Sequence, residues 1–269
     1  MNRLVPFHLT VVITSAFSDS TESLFHSNPL SRIMTDIFGM IMSDAASGEK
    51  AIHEIERDDG YAHESLGSQY TAPFSEWNEC EKLASVEVKG KILDIGCGAG
   101  RAALHFQEKG HEVVGIDISQ AAVDAARQRG VREVHLMSAD ELDFPEGTFD
   151  TVLLFGNNFG VLGEEERIVS MLKDLHRITK PDAVILAATR DAADTDDPKH
   201  LAYHETNRSR GIPIGMVKIR LKYKGYIGDW WTLRMVDEEE MSIIAERSGW
   251  QLVKTYGPRS LYVGVLKKK

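Results

Sequence analysis

Strand-length apolar runs alternate with helix-length amphipathic stretches, which predicts a doubly wound α/β fold with a parallel sheet covered on both faces. Three observations carry this reading. Lys91 to Arg101 (K-I-L-D-I-G-C-G-A-G-R) is a short apolar run that breaks into glycines at alternate positions, Gly96, Gly98 and Gly100. The strand and helix patterns then repeat as far as Thr189. Finally, 42% apolar and 27% charged residues over 269 positions are ordinary for a globular chain with a sizeable core.

Residues 1 to about 45 show no clear period and are expected to be a poorly ordered extension. Leu4 to Phe17 is moderately apolar behind Arg3, but Pro6 and His8 interrupt it and no A-x-A cleavage pattern follows. A disordered extension or an over-early start is expected there rather than a signal peptide, with Met34, Met40 and Met42 as other starts. Residues 46–88 are read as a helical lid segment. Within it, Glu49 to Arg57 and Glu76 to Ala84 are helical, and Asp58, Asp59 and Gly60 form a turn. Tyr61, Tyr70, Phe74 and Trp77 bring aromatics into a polar stretch, as a lid over a ligand or as packing.

From residue 89 to 269 the elements are clearer. Lys91 to Ile95 has the length of a buried strand, and Arg101 onward reads as a helix ending at Gly110. His111 to Ile118 is a second strand, after which Ser119 caps a helix that stops at Gly130. Val134 to Met137 and Thr148 to Phe155 are the third and fourth strands. Ile168, Met171, Leu172, Leu175 and Ile178 mark one face of a helix closed by Pro181, and Asp182 to Thr189 is the fifth strand. Asp191 to Pro198 is an acidic loop that opens an insertion over about 191–236. Met216 to Tyr223 and Asp229 to Val236 are antiparallel strands joined around Gly225 and Gly228, a hairpin that interrupts the sheet. Asp237 with Glu240 resembles a capping box for a helix ending at Gly249, before two last strands, Trp250 to Thr255 and Ser260 to Leu266.

The net charge of −10 disfavours a broad electrostatic grip on nucleic acid or on an anionic membrane. No apolar run reaches the roughly 18 residues needed to span a bilayer. Two cysteines, Cys80 and Cys97, make neither a disulfide framework nor a metal cluster, which suits a cytoplasmic location.

A glycine turn between strand and helix lets a ligand approach the main chain and the helix N-terminus. A dinucleotide fingerprint G-x-G-x-x-G begun at Gly96 meets the bulky Arg101, although one begun at Gly98 ends acceptably on Ala103. Asp117, at the end of the second strand and about 20 residues on, can accept both ribose hydroxyls of either ligand class.

Asp94 to Gly100 (D-I-G-C-G-A-G), Val114 to Asp117 (V-G-I-D), Ser138 to Asp140 (S-A-D) and Phe149 to Leu154 (F-D-T-V-L-L) resemble the successive motifs of class I S-adenosylmethionine (SAM)-dependent methyltransferases. The closing helix and strands from Asp237 resemble that family's antiparallel end of a seven-stranded, Rossmann-like sheet. The resemblance implies SAM as cofactor and a methyltransferase activity. It implies that Asp94 and the backbone of Gly96, Cys97 and Gly98 hold the methionine end of SAM. Asp117 binds the ribose, Ile118 packs on the adenine, and Asp140, with Ala139 and Glu141 alongside, accepts from the adenine amino group. Phe155 joins the cofactor group.

Phe155 to Gly160 (F-G-N-N-F-G) resembles the acceptor segment of glycine N-methyltransferase-like enzymes, with Asn158 in place of serine. Asn157 is accordingly the expected contact to a small-molecule acceptor, beside a second reading as a turn-forming pair with Asn158. Arg190 can bind an acceptor carboxylate, His204 or Asp191 can take a proton, and Tyr61, Tyr70 and Trp230 can close over the site. Two other functions stay open: a SAM-binding sensor or partner without catalysis, and a nicotinamide-dependent oxidoreductase, against which Arg101 argues. The oligomeric state is not legible.

Overall fold

A computed structural model describes residues 36–269. The readings for Arg3, Leu4 to Phe17 and Met34 fall outside them. Poor order was expected as far as residue 45, but helix α1 spans Ile37–Ala46, and the Asp36 carboxylate caps it by accepting the Gly39 N–H at 2.7 Å. The helix is covered from two sides, so its sequence has no amphipathic period to read. Ile37 and Ile41 pack with Leu221 and Tyr223, while Met42 packs with Ala99 and Ala122.

Strands β1 (Ile52–Arg57) and β2 (Ala62–Leu66) form a hairpin across the Asp58–Gly60 turn. The helix expected over Glu49 to Arg57 is therefore a strand. I-H-E-I-E-R has no apolar alternation to read, and the residues its inner face buries are His53 and Arg57. A short helix, α2 (Glu79–Ala84), follows with 3-10 turns on either side. Residues 46–88 are thus a hairpin and one short helix, not a helical lid.

The alternating region runs β3 (Ile92–Ile95), α3 (Arg101–Glu108), β4 (Val113–Asp117), α4 (Gln120–Arg129), β5 (Glu133–Leu136), β6 (Phe149–Leu154), α5 (Glu165–Ile178) and β7 (Thr179–Thr189). Ser119 Oγ caps α4 by accepting the Ala122 N–H at 3.0 Å, and Gly130 ends it with φ +104°. Pro181 does not close α5. It lies inside β7, in the stretch where the pairing with β6 shifts register before Val184, the kind of ladder gap that accommodates a residue without an N–H.

After β7 comes an unexpected helix, α6 (Pro198–Ser209), capped by Asp197 with Pro198 in its first turn. Then follow β8 (Met216–Tyr223), β9 (Tyr226–Ile227), β10 (Trp231–Arg234), α7 (Glu238–Arg247), β11 (Trp250–Tyr256) and β12 (Tyr262–Lys268). Asp237 caps α7 by accepting the Glu240 N–H at 2.8 Å.

The central sheet has seven strands in the order β11-β12-β7-β6-β3-β4-β5, parallel except for β12, which is antiparallel to both neighbours. Its two faces bury separate clusters. Leu93, Ile116 and Phe149 pack under α5 and α7, and Ile92, Val113 and Leu153 pack under α3 and α4. Trp250 is fully buried and donates its indole N–H to the Leu172 carbonyl at 2.8 Å.

The inserted hairpin does not stand alone. It pairs with the N-terminal hairpin in a second sheet, ordered β10-β8-β1-β2 with β9 on β8. Helix α1 packs against both β8 and α4, while the carbonyls of β10 touch the turn after β6 so closely that Gly160 has no room for a Cβ. The second sheet therefore roofs the carboxyl ends of the central strands.

Candidate cofactor and acceptor site

Gly96, Gly98 and Gly100 take φ of +67°, +54° and +79°, which only glycine adopts without strain. A Cβ on Gly96 would lie 2.5 Å from Asn158 Nδ2, and one on Gly98 would lie 3.1 Å from Met42 Cε. The turn is thus wedged between α1 and the loop that follows β6.

Its N–H donors are committed internally. Gly96 and Cys97 donate to the Ile116 carbonyl at 2.8 and 3.0 Å, and Gly98 donates to Asp117 at 2.9 Å. These bonds take up the three N–H groups. Asp94 offers a free acceptor beside the turn, since its Oδ2 is buried without a partner. Burial pushes the Asp94 carboxyl up to about 7, against a smaller opposing pull from Arg101. A buried carboxylate beside carbonyls suits an ammonium group, and the amino end of SAM supplies one.

Asp117 is 6% exposed, and burial raises its pKa despite bonds from the Ser119 and Gly98 N–H groups. Each of its oxygens keeps a lone pair for a hydroxyl. Ile118 is 66% exposed, an apolar side chain left open next to Asp117. Ser138 to Glu141 form a turn closed by the Glu141 N–H on the Ser138 carbonyl at 3.2 Å. Within it Ala139 is buried, and Asp140 accepts from Ser138 and Arg167. Burial works against ionisation of Asp140, but these two donors outweigh it and lower its pKa. Cys97 packs against Gly115, and burial drives its thiol pKa well up, so it stays a protonated, packed side chain.

At the end of β6, Phe155 is buried against Trp77 and Asn157 adopts φ +76°. Asn158 Nδ2 donates to the Ile95 carbonyl at 2.9 Å, fastening this loop to the end of β3. Asn157 Oδ1 is buried and unpartnered. The two asparagines therefore differ: one clamps and one is free.

The remaining candidates are scattered. Asp191 is committed to Arg259 Nε and to the Ala193 N–H, each at 2.8 Å, so it is not a free base. His204 is buried on α6, where burial and neighbouring positive groups lower its pKa. Arg190 is exposed and reaches the Ser260 carbonyl at 3.4 Å. Tyr70 packs edge-on to Phe38 beside α1, close to the cofactor turn. Tyr61 sits away from it, between Arg57 and His200 at the α6 junction. Trp230 lies beneath the Arg220 guanidinium on the charged outer face of the second sheet, and its neighbour Trp231 packs inward on the α1 cluster. Trp230 immediately precedes β10 and stacks with Arg220, away from the α1 cluster that takes Trp231. Sequence reading missed Met42 and Glu81, because a residue's approach to a turn distant in sequence leaves no local signal.

A groove lined by Gly90, Lys91, His111 and Asp150 lies at the amino ends of the strands, opposite this site. Ligands of doubly wound sheets bind at the carboxyl ends, where the glycine turn, Asp117, Asp140 and Asn157 converge. These features define a nucleoside-cofactor site of the doubly wound class.

Comparison with known proteins specifies it. Residues 92–182 match a family model described as a methyltransferase domain. A SAM-dependent methyltransferase from Bacteroides fragilis, solved with S-adenosyl-L-homocysteine, superposes with a TM-score of 0.72 at 25% identity over 87% of this chain and 94% of that one. The Bacillus subtilis protein YqeM, which carries a methyltransferase name, is 30% identical over 119 residues, 43% of this chain and 48% of its own. Cypemycin N-terminal methyltransferase of a Streptomyces species is 30% identical over 105 residues, 38% and 43% of the two chains. The chain spans about half the length of the curated relatives it matches. Residues 92–182 are a methyltransferase domain, and SAM is the cofactor that this domain and the S-adenosyl-L-homocysteine complex imply. Among the described residues no helix is long and apolar enough to cross a membrane.

Proposed function

We propose that the chain transfers the methyl group of SAM to a small-molecule acceptor by in-line displacement, in the cytoplasm. The observation that carries this reading is the free, buried Oδ1 of Asn157, one residue from the clamp that fastens the acceptor loop to the cofactor turn. An unpartnered amide oxygen calls for a donor, and an acceptor with an N–H or O–H on or beside its methylated atom provides one. The roof over the carboxyl ends and the net charge of −10 favour a small molecule over a nucleic acid.

When bound, SAM supplies an electrophilic methyl group on a sulfonium. The residues of this chain bind and orient. Asp94 and the turn carbonyls hold the ammonium, Asp117 the ribose, Ile118 and Asp140 the adenine, and Asn157 the acceptor. Holding nucleophile and methyl in line under a roof that excludes water supplies most of the rate in such a displacement. Arg190 and Tyr70 are further acceptor contacts in this reading, and His204 is the proton acceptor for an acceptor that must lose a proton.

Incubation with methyl-labelled SAM and separate pools of metabolites, peptides and RNA tests the reading. Label is expected in a metabolite fraction. Label only in protein or RNA overturns the acceptor class, and SAM binding without turnover on any pool favours a sensor role.

A further inference from the structure

We propose that Glu81 is a positioning residue that ties the acceptor loop after β6 to the cofactor turn; this rests on the methyltransferase reading above. Glu81 belongs to α2, outside the span that matches the methyltransferase-domain model, and its side chain is 2% exposed. Both of its oxygens are used. Oε2 accepts from Arg101 Nη1 at 2.8 Å, and Oε1 accepts from Arg101 Nη2 and from the Gly156 N–H, each at 3.1 Å. Arg101 is the first residue of α3, immediately after the glycine turn, and Gly156 immediately precedes Asn157. One buried carboxylate thus joins the two loops between which the methyl group must pass.

Neighbouring contacts complete the arrangement. The Arg101 guanidinium lies 4.4 Å above the Trp77 ring, and Phe155 meets the same indole edge-on with centroids 6.0 Å apart. Asn158 is fastened to β3 from the other side. With Phe155, Gly156 and Asn158 all held, the left-handed backbone of Asn157 and its free Oδ1 are fixed from both directions. A buried ion pair is an indifferent way to add stability, because apolar side chains of similar volume often serve as well or better. The N–H of Gly156, by contrast, finds its acceptor in Glu81 Oε1. Loosening the loop displaces the acceptor contact from the line of transfer, which lowers turnover more than cofactor affinity.

Two double variants of the full chain separate the tether from the charge pair. Glu81→Met with Arg101→Met removes both the charges and the acceptor for Gly156. Glu81→Gln with Arg101→Gln removes the charges but keeps an oxygen for that N–H. Amide exchange is followed with and without S-adenosylhomocysteine, and affinity by calorimetry. The methionine pair is expected to bind S-adenosylhomocysteine within about threefold of wild type, while the Gly156 to Asn158 amides exchange at least about tenfold faster. The glutamine pair is expected to exchange there within about threefold of wild type, and to restore labelled methyl transfer at saturating SAM that the methionine pair loses. Slow exchange in the methionine pair overturns the proposal. Equally fast exchange in both pairs also overturns it, because the charge rather than the tether then matters. In wild type alone, a Gly156 amide exchanging as freely as exposed loop amides overturns it without any variant. Wild-type protein that binds no S-adenosylhomocysteine overturns the reading of the site instead, and the tether is then judged on the cofactor-free exchange.

Discussion

The N–H of Gly98 donates to the carboxylate of Asp117 at 2.9 Å, so the residue that ends β4 also holds the turn that follows β3. Asp117→Ala therefore removes the ribose acceptor and slackens the turn together. Binding of S-adenosylhomocysteine is expected to weaken by about 1.5 to 3 kcal/mol, the range for hydrogen bonds to a charged group. Calorimetry checks this, and an unchanged Kd would remove Asp117 from the ribose role.

Asp94 makes cofactor binding depend on pH. Burial raises its carboxyl to about 7 in the folded chain, whereas an unfolded aspartate titrates near about 4. The folded state therefore holds the extra proton between these values, and Asp94 lowers stability as pH rises through that window. A cationic ammonium beside the carboxylate favours its ionised form. SAM affinity should accordingly climb as pH rises from about 5.5 to 7.5. Asp94→Asn should bind SAM more weakly at neutral pH and lose most of this dependence. A wild-type Kd that is flat over the same range contradicts the ammonium contact.

Asp36 ties the start of helix α1 to the start of α4. Asp36 accepts the Gly39 N–H at 2.7 Å and the Ser119 hydroxyl at 2.5 Å, joining the caps of α1 and α4. Asp36→Ala should cost about 1 to 2 kcal/mol as a lost N-cap. The melting temperature should fall by about 2 to 8 °C, and Asp36→Asn by less. A scan that shows no shift would mean that α1 contributes little to the fold.

The Asp191 carboxylate is held by Arg259 and the Ala193 N–H. Its side chain is 4% exposed and faces Arg259, which is 65% exposed, so solvent screens the pair. Asp191→Asn is expected to lower stability by about 1 kcal/mol and to leave the shape of a pH–rate profile unchanged. Loss of an ionisation from that profile would restore Asp191 as a base.

The middle of the central sheet was legible because β3 and β4 are short buried runs closed by Gly96 and by the Ser119 cap. Ser119 and Gly130 bound α4 where their chemistry says they should. The roof was harder to read. Its β1 strand carries charged residues on one face and needs β8, far along the chain, to make it a strand. Helix α6 had a start signal in Asp197 and Pro198, but Tyr203, His204 and Asn207 are its buried side, so no apolar stripe marked it. In the site, Asp117 and Asp140 lie at or just beyond strand ends, where a sequence pattern can place them. Which groups the glycine turn presents could not be read that way, because the partners of its N–H groups, Ile116 and Asp117, lie on another strand.

The second sheet is shared between two distant stretches of chain, with β1 and β2 from before the cofactor turn and β8 to β10 from after β7. Neither half closes without the other, since β1 lies between β2 and β8 and would bare an edge if β8 were exchanged alone. A chimera meant to borrow a relative's acceptor preference must therefore transplant both pieces at once. The stretch from β3 through β7, which carries the glycine turn, Asp117 and Asp140, is contiguous and can be inherited in a single block.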